Sequence, residues 1–129
     1  PDVSLVLKVD AALPTVAVDP GQFRQLVINL VLNATQAIEG PGRIEVRLYV
    51  EGRELVLMVE DSGPGISAEA EARLFEPLFT TRSSGTGLGL ALCRRITEKH
   101  SGRISASNHA DGGAAFVVRV PLTAAGAQV

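Results

Sequence analysis

"RIEVRLYVEGRELVLMVED", residues 43–61, decides the fold. Ile44, Val46, Leu48 and Val50 alternate with Glu45, Arg47 and Tyr49, the period-2 pattern of a strand with one buried face. A second apolar run fills 54–61 after the turn "EGR", so the two predict a β-hairpin. Working outward, "VSLVLKV" (3–9) alternates with Val3, Leu5, Leu7 and Val9 on one side and predicts a half-buried strand, with "TVAV" (15–18) as a short second one. "RISASN" (103–108) and "AAFVVRV" (114–120) predict two further strands joined by a turn at "ADGG".

Two helices interrupt the strands. Asp19 followed by Pro20 reads as an N-cap and first-turn proline opening a helix over 20–39. A second helix runs from 87 to 100 and ends at "HSGR", with Gly102 near the usual C-terminal glycine position. Residues 62–86 lose periodicity except for a short helical stretch in "AEARLFEPLF", and a loop of that length is functional or mobile. Two main helices and six strands, mostly hairpin-connected, predict a two-layer α/β sandwich with the helices on one sheet face.

At 129 residues and 46% apolar, the chain suits a single domain with a core of its own. Its formal charge of −2, with lysines and arginines scattered, lacks the basic footprint of a nucleic-acid-binding surface. The one cysteine, Cys93, lies among Leu90, Ala91, Leu92 and Ile96 and reads as a buried, inert thiol in a reducing, cytoplasmic setting. The most apolar run, "LVINLVLNA", is broken by two asparagines and falls short of the roughly 20 residues of a membrane span. "PDVSLVLKV" is no secretory signal, and its abrupt strand-like start suits one module of a longer protein.

Within the first helix, Phe23, Leu26, Val27, Leu30, Ala34, Ala37 and Ile38 share the core side, while Ile28, Val31 and Leu32 make a second apolar flank, predicting a helix buried on two sides. Between the flanks runs a line of amides: Gln22, Gln25, Asn29, Asn33 and Gln36. Asparagine is a mediocre helix former, so the pair at i and i+4 either bonds to neighbouring backbone and water or turns amide oxygens toward a hard cation such as Mg²⁺. The glycines of "RSSGTGLGLALCRRI" (82–96) leave a similar choice between a tight turn and a phosphate-holding loop.

Taken in order, "QLVINLVLNATQAI" (25–38), "EDSGPGI" (60–66), "LFEPLFTTR" (74–82) and "GTGLGLAL" (85–92) resemble the four sequence boxes of the ATP-binding catalytic domain of bacterial sensor histidine kinases. That superfamily also contains gyrase, heat-shock chaperones and the MutL repair proteins. The resemblance covers residues 3–122, leaving 123–129 as a tail, and implies a Bergerat-type fold: a mixed, mostly antiparallel sheet, helices on one face and a mobile ATP lid over about 67–86. It implies ATP and Mg²⁺ as ligands, with Asn33 the principal metal ligand and Asn29 the second. Asp61 would accept a hydrogen bond from the adenine amino group. Gly63 and Gly65 would let the backbone pass near the base, with Ile66 packed on it. Phe75 and Phe79, four apart, would tether the lid. Thr81 and Arg82 would face the phosphates from the lid. Gly85, Thr86, Gly87, Leu88, Gly89 and Leu90 would form the phosphate loop and helix start.

ATP-hydrolysing branches of the superfamily carry a glutamate base one turn before the metal asparagine; Asn29 cannot take a proton, which implies slow hydrolysis and delivery of the γ-phosphoryl group to a histidine. His100 and His109 lack the helical setting of a phosphoacceptor, and the resemblance gives His100 a structural role. The acceptor histidine and dimerisation helices are therefore expected outside this chain, with a response regulator downstream and no membrane contact. Gln36 stands where many relatives have a phosphate-touching lysine, and Ala114 where many have threonine near adenine. The rival readings are an anti-sigma-factor serine kinase and a non-catalytic nucleotide-binding interaction module.

Overall fold

The hairpin forms as its alternation requires. In this computed structural model, β2 (Gly42–Glu51) and β3 (Glu54–Asp61) pair antiparallel from Ile44↔Asp61 to Glu51↔Glu54, around a turn at Gly52 and Arg53. The structure describes residues 3–10, 13, 18–38, 41–76, 89–109 and 112–122. β5 (Ala114–Pro121) pairs antiparallel with the other side of β3, and β4 (Arg103–Asn108) with β5. β1 (Val3–Val9) runs parallel to β2, giving a mixed five-stranded sheet in the order β1-β2-β3-β5-β4. Parallel neighbours need a crossover, and α1 (Pro20–Ala37) lies within it.

α1 packs on β2 and β3, while α3 (Gly89–Lys99) packs on β4, β5 and α1, so both cover one face of the sheet. Alternate sheet residues Ile44, Val46, Leu57, Val59, Phe116 and Val118 meet Leu26, Leu30 and Ala34 of α1 and Cys93 and Ile96 of α3 in one buried cluster. Burying a side chain of this kind is worth about 1.5–3 kcal/mol, so this face anchors the fold.

The helix ends are tied to each other. Asp19 caps α1, its Oδ1 accepting from Gln22 N at 3.0 Å, and Asp19 N donates to His100 Nε2 at 3.0 Å. With Nε2 accepting, Nδ1 carries the proton and donates to Ile96 O at 2.8 Å. Beyond α3, Ser101 N reaches Glu98 O and Gly102 N reaches Thr97 O, both at 3.0 Å, the two bonds of a Schellman cap. The left-handed residue of that cap is Ser101, with φ 61°, rather than Gly102.

Three other expectations change. Leu5, Leu7 and Val9 share the helix side of the sheet with Ile44, Val46 and Leu48, yet are 59%, 66% and 50% exposed, because β1 is the outermost strand and α1 sits over β2 and β3. The second apolar flank of α1 is open as well: Ile28 and Leu32 are exposed, since α1 belongs to the outer layer. Five strands stand among the described residues; of the expected sixth, at 15–18, all but Val18 lie outside them. The short helix comes earlier than the expected "AEARLFEPLF": α2 (Ala68–Glu71) shares only Ala70 and Glu71 with it, because Ser67 Oγ caps the helix by accepting from Ala70 N at 3.0 Å, and turns follow to residue 75. No helix among the described residues is long and apolar enough to cross a membrane.

Candidate nucleotide-binding site

The chain leaves the core at Asp61, the last residue of β3, 6% exposed and opposite Ile44. Its Oδ1 accepts from Gly63 N at 2.9 Å in an Asx turn, and no donor among the described residues reaches its second carboxylate oxygen. The carboxylate is thus held by one oxygen with acceptor capacity to spare. Ser62 fastens the start of the loop to β2: its N donates to Arg43 O at 3.0 Å and its Oγ accepts from Arg43 N at 2.8 Å. Gly63 runs so near the C-terminal end of α1 that a Cβ there would stand 2.9 Å from Ala37 O. From the other side Gly113, at φ 88°, lies against Asp61; a Cβ there would overlap the Asp61 carbonyl oxygen.

The asparagines lie along α1 from the same loop. Asn33 is one turn before Ala37 and Asn29 one turn earlier, both half-buried. Asn29 Nδ2 is buried without a hydrogen-bond partner among the described residues, and its Oδ1 lies 3.9 Å from where a Cβ on Gly89 would stand. A polar group left unsatisfied in a buried position is costly, and this N–H donor lacks an acceptor among the described residues. The Asn29 amide oxygen stands beside a helix start that carries no side chain, and with Asn33 one turn on, carboxamides of this kind are oxygen donors of the type a hard cation takes. Clusters of three or more His, Cys, Asp or Glu able to hold a metal are absent among the described residues.

Asn29, Asn33 and Ala37 thus make one line along α1, with Gly89 beside Asn29 at one end and Gly63, next to Asp61, beside Ala37 at the other. From Asn29 to Ala37 it follows α1 for about 12 Å. Ile66 and Leu90, expected at the nucleotide, are half-buried and pack on the core cluster. Phe75 also packs there, edge-on to Phe116 with centroids 6.3 Å apart. Gln36 is exposed, and Ala114 is buried in the core. Thr81, Arg82, Gly85, Thr86, Gly87 and Leu88, together with Phe79 and the tail, lie outside the described residues.

Sequence reasoning missed Ser62, Gly113 and Asn108, whose side chain bonds to Ile66. Only Gly113 gave a local signal, and the doubled glycine of "ADGG" reads as an ordinary turn.

At the same end of the sheet, a depression of about 360 Å³ is lined by Arg43, Glu45, Glu60, Asp61, Ser62, His109 and Gly112, so Asp61 and Ser62 border it as well. Its charges pair internally. Glu45 meets Arg47 Nε, Arg43 Nη2 at 2.9 Å and Lys8 Nζ at 3.6 Å, while Glu60 lies 3.0 Å from His109 Nε2. The Arg47 hydrogen bond, helped by the charges of Arg47, Lys8 and Arg43 and opposed by desolvation, holds the Glu45 carboxyl below its ordinary range.

A mixed five-stranded sheet covered on one face by two helices, with an aspartate at a strand end and asparagines along the covering helix, defines a two-layer α/β sandwich. The chain belongs to the histidine kinase-, DNA gyrase B-, and HSP90-like ATPase family, whose model it matches over residues 18–124. It is 38% identical over 121 residues to the sensor histidine kinase ZraS of Escherichia coli O157:H7, covering 94% of this chain and 26% of that one, so it spans about a quarter of that relative's length. Among solved structures, the catalytic domain of histidine kinase ThkA superposes with a TM-score of 0.84 at 34% identity, covering 93% of this chain and 79% of that one. The same kinase in complex with response regulator protein TrrA gives 0.79 at 31%, covering 94% and 34%. Full-length ShkA in complex with AMPPNP gives 0.79 at 30%, covering 92% and 25%. The expected fold class is the one these histidine kinase catalytic domains have.

Proposed function

We propose that this chain binds Mg-ATP and transfers its γ-phosphoryl group to a histidine on a dimerisation domain of the same parent protein, which then serves a response regulator. The observation that carries it is Asp61: a nearly buried carboxylate, fixed through one oxygen by Gly63 N and left with acceptor capacity at the other. An acceptor there selects the adenine amino group over the carbonyl that guanine offers. With the base at Asp61, a nucleotide lying along α1 brings its phosphates toward Asn33 and Asn29. These amide oxygens would hold Mg²⁺, which supplies charge neutralisation for the phosphates when bound.

Gly89 opens α3 without a side chain, and amides at the start of that helix favour an anion. Gly85, Thr86, Gly87 and Leu88 precede Gly89 in the chain and would serve as the phosphate loop, with Thr81 and Arg82 as the phosphate contacts of a lid. Asn29 orients and coordinates without accepting a proton, so water is not activated, and the acceptor imidazole is itself the nucleophile. Complexes of related kinases with AMPPNP and with a response regulator support the ligand and partner classes.

Calorimetry with ATP and GTP, with and without Mg²⁺, tests the binding half. ATP should bind in preference to GTP, Asp61→Asn should remove that preference, and steady-state hydrolysis by the chain alone should be slow. Equal affinity for the two nucleotides, unchanged in Asp61→Asn, would refute the assignment.

A further inference from the structure

We propose that Asn108 is a positioning residue of this site: its carboxamide fixes the loop 62–66 in the shape that presents Asp61 and Ile66 to the base, and thereby sets how strictly adenine is selected. This rests on the function proposed above. Asn108 ends β4, two places from β3 in the sheet, and is 42 positions from Ile66 in the chain. Its Oδ1 accepts from Ile66 N at 2.7 Å and its Nδ2 donates to Ile66 O at 2.8 Å, so one side chain satisfies both backbone groups of one loop residue, as a neighbouring strand would. Among the described residues the loop has no strand neighbour of its own. Its hydrogen bonds before this point, among the described residues, are at its start, where Ser62 bonds Arg43 and Gly63 N bonds Asp61 Oδ1, and Pro64 has no N–H to give. Beyond Gly63 the hydrogen bonds that hold the loop, among the described residues, come from Asn108.

Gly65 fits this arrangement. It stands at φ 91°, and a Cβ there would come within 2.8 Å of Asn108 Oδ1, so glycine is what lets the carboxamide close on the loop. Asn108 is itself exposed, and hydrogen bonds at such a position add little to global stability. What the pair fixes is local geometry: Ile66, which reaches the core, and through the short span 62–65 the carboxylate of Asp61.

Because the contact needs one donor and one acceptor, two substitutions separate positioning from packing. Asn108→Leu keeps the size and loses both bonds. Asn108→Asp keeps the acceptor and sets a carboxylate against the Ile66 carbonyl until it is protonated. Each is compared with wild type and Asp61→Asn for ATP and GTP affinity, using displacement of a fluorescent ATP analogue, and for melting temperature without nucleotide. Asn108→Leu should bind ATP about tenfold more weakly, the value of roughly one hydrogen bond's worth of preorganisation, with a narrowed preference over GTP and little change in melting temperature. Asn108→Asp should be weakened at neutral pH and approach wild type, measured at the same pH, as the pH falls toward the carboxylate range; it carries the test if the leucine variant does not fold. Wild-type affinity and selectivity in both Asn108 variants, with selectivity lost in Asp61→Asn, would overturn the role of Asn108 alone. If Asp61→Asn also behaves as wild type, the nucleotide site itself is misassigned and both proposals fall.

Discussion

Gly112 and Gly113 offer a matched pair for testing how Asp61 is held. Both have positive φ, 96° and 88°, so alanine at either position is strained, at about 1–2 kcal/mol. They differ in surroundings. A Cβ on Gly112 meets nothing within 4 Å among the described residues, whereas one on Gly113 overlaps the carbonyl oxygen of Asp61, a backbone atom that cannot rotate away. Forcing two backbone segments apart adds about 2–3 kcal/mol, bringing Gly113→Ala to roughly 4 kcal/mol against 1–2 for Gly112→Ala. With a urea m-value of about 1.5 kcal/mol/M, the midpoint should drop by about 1 M for Gly112→Ala and 2–3 M for Gly113→Ala. The survivor should also lose ATP affinity in Gly113→Ala, because the displaced strand end carries Asp61, while Gly112→Ala should bind ATP as wild type does. Equal midpoints in the two variants would refute the close approach and the argument built on it.

Three further outcomes follow from the same geometry. Ser101→Gly should stabilise the chain by about 0.5 kcal/mol: relief of left-handed strain, about 1 kcal/mol or more, outweighs the larger unfolded-state entropy of glycine, and urea midpoints report the difference. The Glu45 carboxyl is held below its ordinary value of 4.5, chiefly by the Arg47 hydrogen bond. Its contribution to stability is therefore fully present above that value and lost as pH falls through the lowered one; Glu45→Gln should flatten that part of the acid limb in urea titrations. Burial pushes the Cys93 thiol up to about 12, so a thiol reagent at mildly alkaline pH should react only as fast as the chain opens, and completely in denaturant. Immediate reaction of the folded chain would contradict its place in the core.

Much of the fold was legible because alternation is local. The pattern of 43–61 carries its own partner two residues away, and the strand ends at 103–108 and 114–120 were read to within a residue. Sheet order was not legible in the same way: β3 and β5 are neighbours across more than fifty residues, and that pairing decides what lies near Asp61. Periodicity also assigns a face without saying whether anything covers it. Leu5, Leu7, Ile28 and Leu32 have the expected sides and are exposed all the same, because β1 is an edge and α1 an outer layer. The amides of α1 stood out because asparagine at i and i+4 inside a helix runs against propensity, and the "DSGPG" run because its glycines are dense. Asn108 and Ser62 gave no such signal, since each is an ordinary polar residue whose partner is far away in the chain: Ile66 for Asn108, Arg43 for Ser62. At the end of α3, the doublet "SG" pointed to the glycine, but close packing of Gly102 against Arg119 claims it and leaves Ser101 the left-handed position.

The most direct measurement of the central claim is phosphoryl transfer from ATP, labelled at its γ-phosphate, to a separately prepared dimerisation domain of the same parent protein, with this chain as the only source of nucleotide-binding site. Label should appear on a histidine of that domain in the presence of Mg²⁺, and should vanish in Asp61→Asn and in Asn33→Ala. Transfer at the wild-type rate by both variants would contradict the account.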